Sequence, residues 1–231
     1  MPTFVLVHGA WHGSWCWERV VAELEGRSHR ALTVDLPIAD PTAAVDEYVA
    51  AVAEVLAGAG DDAVLVAHSL SGLIAPVVAD RHPVARVIYL GAILPAPGES
   101  LLTRLEPEGV LASDFFSALE VGDDGTASFP PELAGEVFYG DCTPEDREWA
   151  VAQLGRQAFT VAAAPFPLEA MPPVPSDYIV LADDATLSPA WCRRAARDRL
   201  GVEPHELPGG HSPFVTRPAE LTDLLIALSH A

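Results

Sequence analysis

Ser69, His211 and the adjacent acids Asp183 and Asp184 are the side chains of this 231-residue chain whose types and contexts could form a proton relay. A serine hydroxyl is a weak nucleophile until a base takes its proton, and an imidazole serves as that base when a carboxylate orients it. The chain supplies them in the order serine, acid, histidine. Ser69 stands in "LVAHSLSGL" (65–73), where an apolar run gives way to a helix-like stretch, the setting in which a G-x-S-x-G nucleophile elbow is recognised. Here Ala67 and Ser71 replace the flanking glycines, and Gly72 follows. Both are small, so the turn is expected to form with slight crowding and some loss of catalytic efficiency. The acids close the run "DYIVLADD", and His211 lies in the glycine-rich "PGGHSPF". Singly, each has an ordinary explanation: a strand-end serine is structural, a late histidine is at the surface, a DD pair caps a turn. Their common order and strand contexts select the relay instead.

Such a relay needs elements that bring distant residues to one edge. Apolar β-rich runs recur at "TFVLVH", "RALTVDL", "DAVLVAH", "ARVIYLGA" and "DYIVLA", with a weaker sixth near 202–207. Several are continuously apolar, as strands of a parallel sheet covered on both faces are. Helix-like stretches alternate with them at 15–25, 43–57, 71–80, 189–200 and 218–229. The pattern predicts an α/β fold with a doubly wound, mostly parallel, six-stranded sheet. Open parallel sheets gather reactive groups at the carboxyl edge, where all three candidates fall. Pro76 falls inside the helix expected after Ser69, where a kink is anticipated.

From about 96 to 175 the alternation stops, no convincing buried strand appears, and aromatic residues, prolines and short helical signals take over. This interval reads as an inserted helical cap, with the core at 1–95 and 176–231 forming one domain; within it Thr143 is placed to cap a helix whose first turn holds Glu145 and Asp146. Phe115, Phe116, Phe138 and Tyr139 either face an apolar substrate group or fix the cap to the body.

Composition narrows the function classes. A formal charge of -20, from 33 acidic against 13 basic residues, repels phosphate backbones and anionic lipid, which excludes nucleic acid and membrane surfaces as expected partners. No apolar run reaches the roughly 18 residues of a membrane helix, and the amino-terminal stretch lacks secretory-signal features, so a soluble cytoplasmic protein is expected. Cys16, Cys142 and Cys192 have neither disulfide-framework nor metal spacing. His8 and His12 lie on a strand end and loop without an H-E-x-x-H glutamate, and no G-x-G-x-x-G follows the first strand, so neither metal nor dinucleotide is expected.

The chain resembles the plant-type methylesterase and hydroxynitrile lyase-like branch of the α/β-hydrolase superfamily. "FVLVHGAWHGSWCW", "AHSLSGL", "YLGAILPAPGES", "FYGDCTPEDREWA", "DYIVLADD" and "PGGHSPF" occur in the branch's order over nearly the whole chain; the region 101–134 lacks a clear counterpart. The resemblance implies a six-stranded core with a cap and a catalytic triad of Ser69, Asp184 and His211, with Asp183 as the alternative acid. It implies an oxyanion hole of the Ala10 and Leu70 N–H groups, and a substrate pocket drawn from Trp11, His12, Phe115 and Phe138. Lyases of the branch carry lysine after the catalytic histidine and commonly threonine at the position of Gly9; Ser212 and Gly9 stand there, which points to the esterase side. The expected activity is cofactor-free hydrolysis of a small carboxylic ester through an acyl-enzyme. A non-hydrolytic lyase or cyclase and a ligand-binding pseudoenzyme or receptor are the alternatives, and a homodimer is compatible with either.

Overall fold

The β-branched and leucine-rich runs form the strands that their composition predicts, and together they build one parallel sheet. The computed structural model describes residues 1–230. β1 (Thr3–Val7), β2 (Arg30–Val34), β3 (Val64–His68) and β4 (Arg86–Leu90) belong to the main sheet, followed in the chain by three short strands, β5 (Glu120–Val121), β6 (Thr126–Ser128) and β7 (Gln157–Ala158). β8 (Ser176–Leu181) and β9 (His205–Leu207) complete the main sheet, whose order is β2-β1-β3-β4-β8-β9 with every pairing parallel. β1 and β3 are buried along their entire length, as continuously apolar central strands must be. β2 is an edge strand and largely half-buried.

Helices cover the sheet. α1 (Glu18–Gly26), α2 (Val45–Leu56) and α3 (Ala75–Arg81) follow the first three strands, and α4 (Leu101–Glu108), α5 (Pro131–Val137), α6 (Pro144–Val151) and α7 (Thr160–Ala163) lie between β4 and β8. α8 (Pro189–Ala195) continues as a π-helical turn over Ala196–Leu200, and α9 (Pro213–Thr216) and α10 (Pro218–Ser229) end the described chain. Polar side chains start several of them: Ser100, Thr143 and Ser188 each accept a backbone N–H of the first turn of α4, α6 and α8. No helix among the described residues is long and apolar enough to cross a membrane.

Two expectations need correction. Pro76 does not kink a helix interior: a 3-10 turn over Ser69–Leu73 precedes α3, and Pro76 lies in the first turn of α3, where its missing N–H has no helical partner to lose. The interval between β4 and β8 is not wholly helical, since β5, β6 and β7 form a separate antiparallel sheet. Strands of two or three residues are too short to show a periodicity of two.

Candidate active site

Because the main sheet is parallel, the segments leaving β1, β3, β8 and β9 all emerge at one edge. The ladder persists past the last two strands, with Ala182 N–H donating to Leu207 O at 2.9 Å and Asp183 N–H to Gly209 O at 3.0 Å. The acid and the histidine therefore arrive side by side. His211 Nδ1 lies 2.8 Å from Asp184 Oδ2, and His211 Nε2 lies 3.1 Å from Ser69 Oγ. All three residues are buried. A carboxylate accepts only, so Nδ1 carries the proton and Nε2 is free to accept from the serine hydroxyl. The other carboxylate oxygen of Asp184 accepts the N–H groups of Thr186 (2.7 Å) and Leu187 (3.0 Å), which fixes its plane. Asp183 points elsewhere, accepting Gly209 N–H at 3.1 Å, and is exposed. Among the two acids it is Asp184 that reaches the imidazole.

Ser69 has φ 55°, a left-handed conformation that a non-glycine residue adopts at a cost of about 1–3 kcal/mol. Its carbonyl accepts Ile93 N–H at 2.9 Å, which holds the turn against the segment after β4. The unusual flanks are accommodated. Ala67 is fully buried between Val7 and Tyr89 of the adjacent strands, and the Ser71 hydroxyl lies 2.8 Å from His68 O and 3.2 Å from Val7 O. The glycine of this turn with the least room for a side chain is Gly72, whose Cβ would meet Ile93 O at 2.5 Å. Gly9 is comparably placed on the facing loop, where a Cβ would stand 2.7 Å from Ser69 Cβ.

Buried histidines support this edge. His68 Nε2–H donates to His211 O at 2.9 Å, His8 Nδ1–H donates to Gly9 O at 2.8 Å, and His8 Nε2 accepts Leu36 N–H at 3.0 Å. Burial lowers the pKa of both rings, so they act as neutral tautomers. His12 is of the same kind, lowered to about 3 by burial. Both ring nitrogens of His8 and of His12 are thus used inside the protein, the latter by Ala10 O and the Tyr139 hydroxyl.

Ser69 opens on a narrow cavity whose wall includes Ala10, Trp11, Leu70 and Phe115 from the expected set. His12 and Phe138 are not in that wall. His12 lies beneath the loop, and Phe138 packs behind it against Trp11, His12 and His211. The segment between β4 and β8, called the cap below, closes the cavity with Leu101 and Leu105 of α4, Phe116, and Phe159 just ahead of α7, while Thr186 and Leu187 close it from the loop after β8. Among the described residues no charged side chain lines it, and the Thr186 hydroxyl is committed to Val137 O at 3.2 Å. Sequence reasoning missed Leu101 and Leu105, although four-residue spacing on a capped helix is a readable signal for one shared face. It also missed Asp141, which accepts Gly210 N–H at 2.9 Å and steadies the histidine loop. Gln157, a lone polar residue in a two-residue strand, offered no signal at all.

The doubly covered parallel sheet, the strained serine at the end of its third strand and the gathered loops define an α/β hydrolase. Residues 4–224 match the alpha/beta hydrolase family, and the chain belongs to it. It is 31% identical to a probable esterase of Oryza sativa subsp. indica over 98% of this chain and 96% of that protein. It is 30% identical to a pyrethroid hydrolase of Sphingobium wenxiniae over 98% of this chain and 87% of the relative. Among solved structures, a pyrethroid hydrolase from Sphingobium faniae superposes with a TM-score of 0.81 at 27% identity, covering 100% of this chain and 98% of that one.

Proposed function

We propose that this protein is a cofactor-free serine hydrolase that cleaves small, uncharged carboxylic esters through an acyl-enzyme. The observation that carries the proposal is the continuous relay from Asp184 through His211 to Ser69, at 2.8 and 3.1 Å, opening on an apolar cavity. In the first half, Ser69 Oγ attacks the ester carbonyl carbon as its proton passes to His211 Nε2. The tetrahedral intermediate collapses with that proton leaving on the alcohol oxygen, and the acyl group stays on Ser69. In the second half His211 takes a proton from water, the hydroxide attacks the acyl carbon, and the carboxylic acid departs as Ser69 regains its proton. Asp184 holds the imidazole in the required tautomer and stabilises the imidazolium. Ala10 and Leu70 adjoin Ser69 in the cavity wall, and their N–H groups are the oxyanion donors in this reading. The names of the relatives, esterases and hydrolases, support ester cleavage. An uncharged wall favours a neutral acyl group, and Ser212 in place of a lysine removes the cation that a cyanide leaving group would need.

The test is a graded panel of p-nitrophenyl and methyl esters assayed with the wild-type protein and with Ser69→Ala. Ester turnover by the wild type that disappears in a folded Ser69→Ala protein is the expected result. Turnover retained by the variant, or absent from both, overturns the reading.

A further inference from the structure

The loop after β1 is held in a strained conformation, and the groups that hold it come mostly from the cap. Trp11 is left-handed, with φ 61°. Its N–H donates to Gln157 Oε1 at 3.3 Å, its carbonyl accepts Gly155 N–H at 2.8 Å, and its indole N–H donates to Ala127 O at 3.0 Å. Ala127 and Gln157 are cross-strand partners on β6 and β7. The fully buried Gln157 is itself aimed from its far end, where Nε2 donates to Ala158 O at 2.6 Å and to the Tyr48 hydroxyl at 3.3 Å. The other polar end of the same peptide, Ala10 C=O, accepts His12 Nδ1–H at 2.7 Å. With its proton on Nδ1, His12 must accept at Nε2, and the Tyr139 hydroxyl donates there at 2.7 Å.

We infer that Gln157 and the His12–Tyr139 pair are positioning residues through which the cap fixes the Ala10–Trp11 peptide and so the direction of the neighbouring Ala10 N–H. This rests on the reading above, in which Ser69 is the nucleophile and the Ala10 N–H an oxyanion donor. A peptide plane gripped at both its C=O and its N–H cannot rock, and a left-handed tryptophan persists only where its surroundings over-determine it. Transition-state donors act through preorganisation, so a loosened loop lowers the rate without requiring weaker ground-state binding.

The test compares Gln157→Met, His12→Gln and His12→Asn in the full chain. Asparagine places an amide N–H near the position of Nδ1 and keeps the donor to Ala10 O; glutamine places its amide near Nε2 and does not. Readouts are kcat and KM on one p-nitrophenyl ester, and the inhibition constant of the matching trifluoromethyl ketone, whose tetrahedral alkoxide occupies the oxyanion site. Gln157→Met and His12→Gln are expected to lower kcat by about 10- to 100-fold with KM nearly constant, and to weaken the ketone by the same factor as kcat/KM. His12→Asn recovers most of the loss. Wild-type kcat in both, a loss of kcat/KM without parallel weakening of the ketone, or equal losses in His12→Asn and His12→Gln overturns the inference. Where a variant fails to fold, Tyr139→Phe, which deletes one hydroxyl, replaces it: a parallel loss of about threefold to tenfold supports the inference, and no loss overturns it. Turnover surviving in Ser69→Ala would instead remove the underlying reading, so the two failures are distinguishable.

Discussion

The two walls of the cavity are held by different forces. On the body side, Ser69, Asp184 and His211 are delivered by backbone ladders: β3 lies between β1 and β4, and the bonds from Ala182 to Leu207 and from Asp183 to Gly209 extend the pairing of β8 and β9. On the cap side, strands are two or three residues long, and side chains such as Glu108, Gln157 and the Trp11 indole share the holding with scattered backbone bonds, among them Gly155 N–H to Trp11 O at 2.8 Å and Ala158 N–H to Ile38 O at 2.6 Å. Changes to the three relay side chains on the body side therefore alter chemistry while leaving positions intact. On the cap side they alter position first.

The largest expected effect sharpens that contrast at the relay. Asp184→Asn keeps the two backbone bonds available to its side-chain oxygen but favours the wrong imidazole tautomer, so kcat should fall on the order of 10⁴-fold with the fold unchanged. Asp183→Asn, which touches only Gly209 N–H, should cost no more than a few-fold in the same assay. Comparable losses in the two variants would show that the acid has been misassigned.

A second prediction concerns the neutral histidines beneath the body-side wall and the loop after β1. His8, His12 and His68 are buried with lowered pKa, the His12 value falling to about 3, whereas the unfolded chain protonates histidine near 6.5. Below that value the unfolded state binds more protons than the folded one, so stability falls as pH falls from about 6.5. His12, with its value near 3, contributes a slope approaching about 1.4 kcal/mol per pH unit before most carboxylates begin to titrate, and His8 and His68 add to it in the same direction. Urea midpoints measured from pH 7.5 to 5 should drop steeply. A flat profile over that range would mean that the rings are charged or accessible in the native protein.

The same contrast explains what could be read from sequence. The main strands announce themselves because burial on both faces demands continuous apolar runs, and the chain order of Ser69, Asp184 and His211 follows from which strands they end. Asp184 could be separated from Asp183 only by family resemblance, since adjacent carboxylates differ in direction and not in composition. Trp11 and Phe115 line the cavity, a place that the family resemblance implied and that residue type alone left open. His12 and Phe138 belong behind the wall, a matter of one layer of packing that residue type does not encode. Cap contacts such as Trp11 with Gln157 join positions 146 apart through one side-chain bond, with no periodicity to mark either partner.

On the cap side, Glu108 ends α4 and binds Arg199 (2.6 Å), Arg104 (3.2 Å) and the indole N–H of Trp191 (2.9 Å). Both guanidinium groups also donate to Leu94 O, at 3.2 Å from Arg104 and 2.5 Å from Arg199. Glu108→Gln takes the shared carboxylate from two facing cations and leaves Arg104 only the more distant Glu99 at 3.8 Å; the expected cost is about 1–3 kcal/mol, concentrated in α4. Amide hydrogen exchange should quicken in 101–108 while the central strands keep their protection. Uniform loss of protection would show that cap and sheet unfold as one unit.

The smallest effects lie at Ser71 and Gly72, inside the turn that begins at Ser69, where the body side depends on space instead of charge. Gly72→Ala drives a Cβ to 2.5 Å from the Ile93 carbonyl, on the residue whose N–H holds Ser69 O, and should cost about 1–3 kcal/mol together with activity. Ser71→Ala removes a hydroxyl from the carbonyls of His68 and Val7 and fits the same space. Its cost should be about 1 kcal/mol with kcat nearly unchanged. Thermal melts paired with ester assays separate these cases. If Ser71→Ala lost activity as severely as Gly72→Ala, the Ser71 hydroxyl would be shaping the turn at Ser69, and the tolerance of that position for any small residue would have to be abandoned.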